Sequence, residues 1–254
     1  MCTLTLDDPP ANTYSYDMMQ ELDTAVLKAR MDQSVHVIVV TGAGEKFFCA
    51  GANIGMLKDA DPTFKYYFCL HANETLNRLE QTPKLVIAAL NGHTVGGGLE
   101  VAMAADIRIA KRGAGKIGMP EVALGVLPGT GGTQRFARLV GKAKAIELMA
   151  EGALFSFEDA REMGLVNHVW GEAELKGRSF AEAIHDYARQ FTPPNKAAKA
   201  VGHIKRAVQS GLESGFAEGL ALERELQQRL FESEDAKEGL RANLAKRKPT
   251  FEGR

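Results

Sequence analysis

Two short runs, Val35 to Val40 (VHVIVV) and Lys84 to Leu90 (KLVIAAL), are apolar almost throughout, and each ends in a turn rich in glycine. Such a run has no polar face to offer water, so the strand it forms is buried on both sides. A sheet of that kind needs a layer over each face. Helical periodicity supplies the cover: Met18, Met19, Leu22, Val26 and Leu27 recur at helical spacing between Ser15 and Arg30. Asp61-Pro62 opens another helix that runs to about Glu80.

Shorter strands are predicted at Thr3 to Leu6, Ile107 to Ala110, Lys116 to Gly118 and Val166 to Val169, with helices beginning near Gly132 and Lys142. From Glu172 onward the pattern is almost wholly helical, broken at Pro193-Pro194 and between Gly211 and Gly215. Strands alternating with helices, then helices alone, predict an α/β core with a helical C-terminal region. In a chain of 254 residues, 45% hydrophobic, there is apolar surface enough for one sizeable core.

Charge narrows the partners. Lys plus Arg number 31 and Asp plus Glu 32, a balance that gives no polyanion-binding surface, so no nucleic acid is expected. No apolar run is long enough for a membrane span. The start lacks the basic and apolar segments of a signal peptide, and Cys2, Cys49 and Cys69 are odd in number and lack metal-ligand spacing. The expectation is a cytoplasmic protein without a bound metal.

Chemistry concentrates where glycines follow strands, in Phe47 to Asn53 (FFCAGAN) and Asn91 to Glu100 (NGHTVGGGLE). Three glycines at a strand-to-helix junction let a ligand reach the backbone, and the free N–H groups of a helix start favour negative charge there. They serve equally a tight helix–sheet crossing. Glu100 lies just inside that helix, and Glu121 is a lone acid before the apolar run Val122 to Leu127. Partial burial of Glu121 would raise its pKa toward that of a general acid. His93 has no triad partner and reads as a packing or hydrogen-bonding residue. Cys49 reads as buried and inert.

The segments FFCAGANI, NGHTVGGGLEVAMAADIRIA, MPEVALGVLPGTGGTQRFARLVGKAKAIELM, AREMGLVNHVW and FESEDAKEGLRANLAKRKPTF resemble, in order and spacing, the crotonase (enoyl-CoA hydratase/isomerase) family. The resemblance implies a spiral core of ββα units over residues 1–190, holding an acyl-CoA site. It also implies a helical trimerisation region over residues 191–254, and a homotrimer or homohexamer. It places two oxyanion-hole amides at Ala50 and Gly97, a water activator at Glu100 and a proton donor at Glu121. Gly129 would help place the water, and a side chain on Gly97 would crowd the thioester oxygen. Ala52 and Asn53 would touch the substrate, with Lys246 near the CoA phosphates. Such a reaction needs no cofactor. The chain departs from the family pattern at Asn53, Gly55, Met119 and Asn243, and it begins almost on its first strand. Hydration of an enoyl-CoA is the expected reaction. The alternatives are isomerisation, decarboxylation, thioester hydrolysis, or a homologue that binds CoA without turnover.

Overall fold

The computed structural model describes all residues from Met1 to Arg254. Both buried runs form strands, β2 (Val37–Gly42) and β4 (Leu85–Leu90). They lie at the centre of a parallel sheet with β1 (Cys2–Leu6), β6 (Ile107–Lys111) and β9 (His168–Trp170), in the order β1-β2-β4-β6-β9. Alternate residues of these strands enter different cores. Ile38, Val40, Val86, Ala88 and Leu90 face the larger one. Val37, Val39, Leu85, Ile87 and Ala89 face a smaller one closed by Phe180, Ile184 and Ala188. That division is why neither run alternates with polar residues.

A second, smaller sheet has the order β3-β5-β7-β8, from Phe47–Cys49, His93–Val95, Ile117–Gly118 and Leu154–Phe155. The chain thus winds as a spiral. Each of three successive turns places one strand in the large sheet, the next in the small one, and then a helical segment. Thus β2 and β3 lead to α2 (Ile54–Asp59) and α3 (Pro62–Glu80), whereas β4 and β5 lead to α4 (Gly97–Met103). After β6 and β7 come a 3-10 turn (Glu121–Leu124), α5 (Gly132–Val140) and α6 (Lys142–Glu151). The helix α1 (Tyr16–Met31) packs on α3, and α7 (Phe157–Glu162) leads to β9.

The remaining helices are α8 (Glu172–Leu175), α9 (Phe180–Arg189), α10 (Ala198–Leu212), α11 (Phe216–Phe231) and α12 (Glu234–Leu244). Most boundaries agree with the sequence reading to within one residue; the last strand does not. The final strand is His168–Trp170 and not Val166 to Val169. Val166 instead closes the turn after α7, its N–H donating to the Ala160 carbonyl at 3.2 Å. The short strands β3, β5 and β8 were not expected, because two or three residues carry no period. On α11, Leu226 is buried within the chain, while Leu220 on the same helix is exposed. No helix is long and apolar enough to cross a membrane.

Candidate active site

The site forms where the two glycine turns meet. The first leaves β3 at Cys49. The Ala50 N–H is not free there: it donates to the Ala11 carbonyl at 3.1 Å. This corrects the oxyanion assignment made from the sequence, because an amide committed to a backbone carbonyl has no proton left to give. Two residues on, the Ala52 N–H has no acceptor in the chain. It sits in a one-residue parallel bridge, with Tyr14 N–H donating to Gly51 and Asn53 N–H donating to Tyr14, both at 2.9 Å. The Asn53 side chain caps α2, accepting from the Met56 N–H at 3.0 Å.

The second turn enters α4. Gly96 has φ of +57°, the left-handed region that glycine tolerates without strain, and a β-carbon there would lie 2.8 Å from Glu121 Oε1. Gly97 begins the helix, so its N–H has no intrahelical acceptor and finds none elsewhere. A β-carbon on Gly51 would lie 3.0 Å from Gly97 N, so the two turns abut. The side chain expected to crowd a thioester at position 97 has another obstacle: it would run into the Tyr14 hydroxyl.

Glu100 lies one turn into α4 and is 2% exposed. Its carboxylate leaves its own helix and accepts from Thr130 N–H and Gly132 N–H, both at 2.7 Å, at the start of α5. Burial pushes its pKa up, and those two amides pull against the rise. Glu121 opens the 3-10 turn and is half-buried. Its Oε2 is inaccessible and has no hydrogen-bond partner. Burial pushes its carboxyl up to about 7, its own backbone N–H opposing and the charge of Glu100 adding to the rise. The two acids are therefore close enough to feel each other, and their surroundings differ.

The Gly129 N–H has no acceptor in the chain, and its carbonyl accepts from Asn73 Nδ2 at 3.0 Å. His93 is used by the fold: its Nδ1 accepts from the Lys116 N–H at 3.1 Å. Burial pushes the Cys49 thiol up to about 12, which leaves it no nucleophilic thiolate at neutral pH. Lys246 follows α12 with a left-handed φ of 51°, and its side chain makes no hydrogen bond or ion pair within the chain. Among the residues the sequence did not single out are Tyr14 and Thr130, both buried in this cluster. Their linear neighbourhood carried no signal, since each acquires its place through contacts 30 or more residues away. No group of three or more His, Cys, Asp or Glu is arranged to hold a metal ion.

The whole chain, residues 1–254, matches the family model described as enoyl-CoA hydratase/isomerase. A short-chain-enoyl-CoA hydratase of Clostridium acetobutylicum is 36% identical over 98% of this chain and 92% of its own length. A probable enoyl-CoA hydratase of Bacillus subtilis is 37% identical over 100% and 95%. Among solved structures, an enoyl-CoA hydratase from Geobacillus kaustophilus superposes with a TM-score of 0.94 at 44% identity, covering 99% of this chain and 93% of the other. With a family match from the first residue to the last, relatives more than a third identical and a core that superposes on a solved enoyl-CoA hydratase, the chain belongs to the crotonase, or enoyl-CoA hydratase/isomerase, family.

Proposed function

We propose that this protein adds water across the 2,3-double bond of an enoyl-CoA thioester. One observation carries the reading: burial raises the pKa of both neighbouring acids beside the glycine turns, but the Glu100 carboxylate is held by two fixed amide donors while Glu121 keeps one oxygen unpartnered. Glu100 accepts two fixed amide N–H bonds, which favour its ionised form and suit a base that activates water. Glu121, with one oxygen buried and unpartnered and its pKa near 7, holds a proton for a good fraction of the time at neutral pH. It suits the donor to the α-carbon.

Hydration places negative charge on the thioester oxygen, so two convergent donors are required. The free amides of Ala52 and Gly97, on abutting turns, are the pair this reading assigns. Losing one such donor in other enzymes costs about 3–4 kcal/mol of transition-state stabilisation. The unpaired Gly129 amide would help hold the water. Asn53 acts on substrate only indirectly in this scheme, by capping α2, and Lys246 is free to meet a CoA phosphate.

In the same proposal residues 1–190 form the catalytic core, and residues 191–254 join subunits into a trimer or hexamer. Three cysteines, all unpaired, fit a reducing compartment such as the cytoplasm. Loss of enoyl absorbance with crotonyl-CoA and a panel of branched enoyl-CoAs tests the reaction. The parent should consume at least one of them, and Glu121→Gln should lose about 10²-fold or more of that rate. A Glu121→Gln protein that hydrates the whole panel at the parent rate removes the mechanism. Double-bond isomerisation has one specific support, the unpartnered Glu121 oxygen, which alone could carry a proton between two carbons. Conversion of a 3-enoyl-CoA without hydration of the 2-enoyl panel would decide for it.

A further inference from the structure

None of the steps proposed for the reaction needs a residue of α3, yet one of its polar side chains reaches the loop that opens α5. Asn73 Nδ2 donates to the Gly129 carbonyl at 3.0 Å. That carbonyl and the Thr130 N–H belong to one peptide group, which is planar and trans, so the two point in opposite directions. The Thr130 N–H donates to Glu100 Oε1 at 2.7 Å. A side chain of α3, one peptide group and the buried acid are thus joined end to end by two hydrogen bonds.

The other donor to Glu100 is held differently. The Gly132 N–H donates to the same Oε1 at 2.7 Å. The carbonyl of its peptide group, that of Gly131, accepts from the Gln134 and Arg135 N–H groups at 3.2 and 2.9 Å. The backbone of α5 therefore fixes that amide without help from a side chain. The Gly129 carbonyl accepts no backbone N–H, and Asn73 is its donor. A hydrogen bond that ends on an amide carbonyl also polarises the N–H beyond it, which strengthens the next bond in the chain. Both bonds to Glu100 fall on Oε1, so they fix how the carboxylate is turned and leave Oε2, to which the chain donates nothing, for a ligand. Asn73 itself rides on a helix tied to α5. One turn on, Asn77 Oδ1 accepts from Arg135 Nη2 at 2.7 Å, and Arg135 pairs with Glu80 at 2.7 Å.

We propose that Asn73 is a positioning residue for the reaction: its side-chain amide orients the Gly129–Thr130 peptide group, whose N–H then holds Glu100 Oε1 in place. The catalytic consequence rests on the hydratase reading of Glu100; the hold on the peptide group does not. Arg135 of α5 and Glu121 of the 3-10 turn act on Glu100 through charge, while Tyr14 before α1 and Cys69 of α3 are kept neutral by burial. The variants below change none of these four.

The test reads the two amides separately, by NMR of deuterated protein labelled with nitrogen-15 in threonine and glycine. Asn73→Leu keeps the size of the side chain and removes the donor. The Thr130 amide proton should then move upfield as its bond to Glu100 weakens, while that of Gly132 should not. The protonation midpoint of Glu100, read from its side-chain carbon-13 signal, should rise by about half a pH unit, because a donor to the ionised form is weakened. With crotonyl-CoA, kcat should fall by about tenfold, its acidic limb moving up with the midpoint, while KM stays within about twofold. Asn73→Asp keeps the shape and, ionised, has no proton to give. It should move the Thr130 amide in the same direction, which decides the matter if Asn73→Leu folds poorly. Asn77→Ala removes a neighbouring bond between α3 and Arg135, and should leave the Thr130 signal and kcat at their parent values. A Thr130 proton that stays put in both Asn73 variants overturns the proposal, as does one that moves equally in Asn77→Ala. An active parent whose Asn73 variants shift that proton without loss of kcat overturns it too. A parent that hydrates no enoyl-CoA, with a Thr130 proton that still moves upfield, removes the hydratase reading and leaves the hold on the peptide group standing.

Discussion

Single residues here carry conflicts that the fold has to absorb. Glu121 is the sharpest. Its pKa is raised from an unfolded value of 4.5 to about 7. A raised carboxyl binds its proton more tightly folded than unfolded, so the stability this confers is complete below the unfolded pKa and is lost as pH rises through the folded one. Above pH 7 the protein therefore holds a partly buried charge at a cost. Glu121→Gln carries no charge at any pH. Its stability relative to the parent should improve steadily between pH 4.5 and 8, by about 1–2 kcal/mol once solvent screening of a half-buried group is allowed for. Urea midpoints at several pH values measure this, and parallel pH profiles for the two proteins would refute it. Gly97 carries a different conflict. Because its missing β-carbon is replaced by the Tyr14 hydroxyl, Gly97→Ala overpacks the protein before any substrate binds, costing about 1–3 kcal/mol. Loss of activity in that variant alone does not identify an oxyanion donor. If crowding is the cause, Tyr14→Phe in the same protein should restore part of the stability, and thermal melts of the three variants would show whether it does.

At the scale of elements, the parts with a period were legible and the parts without one were not. The strands β2 and β4 were readable because both of their faces are buried, and α1 and α3 because each buries one stripe. The pair Glu100 and Glu121 was legible as candidates. Their meeting was not, since it depends on the pairing of β5 with β7, which sets Glu121 against Gly96 at the start of α4. The free amide was misplaced from Ala52 to Ala50 for the same reason: which N–H in CAGAN is spoken for is decided by Ala11, on a distant loop. The helix α2 was missed because its six residues are too few to show a period and none is fully buried, only Met56 and Leu57 packing partly against the core. The Asn53 cap adds to those contacts. Asn53→Ala should cost about 0.5–2 kcal/mol, with hydrogen exchange in Ile54–Asp59 accelerated first, whereas Asn53→Asp keeps the capping oxygen and should retain protection. Equal protection in the two variants would mean that contacts other than the cap hold this helix.

The molecule as a whole is anchored on one side of its C-terminal region and unfinished on the other. Lys205 of α10 pairs with Asp106 at 2.8 Å, and both side chains are nearly buried. Asp106 also accepts from the Val86 N–H at 2.7 Å and from Gln209 at 3.1 Å, and Lys205 donates to the Lys84 carbonyl at 3.1 Å. A buried pair with its remaining hydrogen bonds satisfied fixes how α10 sits on the sheet, because losing either partner strands a charge. The helices beyond are thus held in place, yet Leu212, Phe216 and Leu244 are each at least 80% exposed. Burying one such side chain is worth about 1.5–3 kcal/mol, and a firmly docked region has no internal means of covering them. A second copy of the chain, using this region as the interface, supplies the cover in the proposed assembly. Sedimentation should then show a multiple of 27.5 kDa at micromolar concentration, with an unfolding midpoint that rises with protein concentration because association stabilises the folded chain. Leu212→Ser with Phe216→Ser should shift the mass toward 27.5 kDa and abolish the concentration dependence, leaving the Lys205–Asp106 anchor untouched. A parent that sediments only at 27.5 kDa, with a midpoint indifferent to concentration, would leave these side chains facing water and the subunit interface without support.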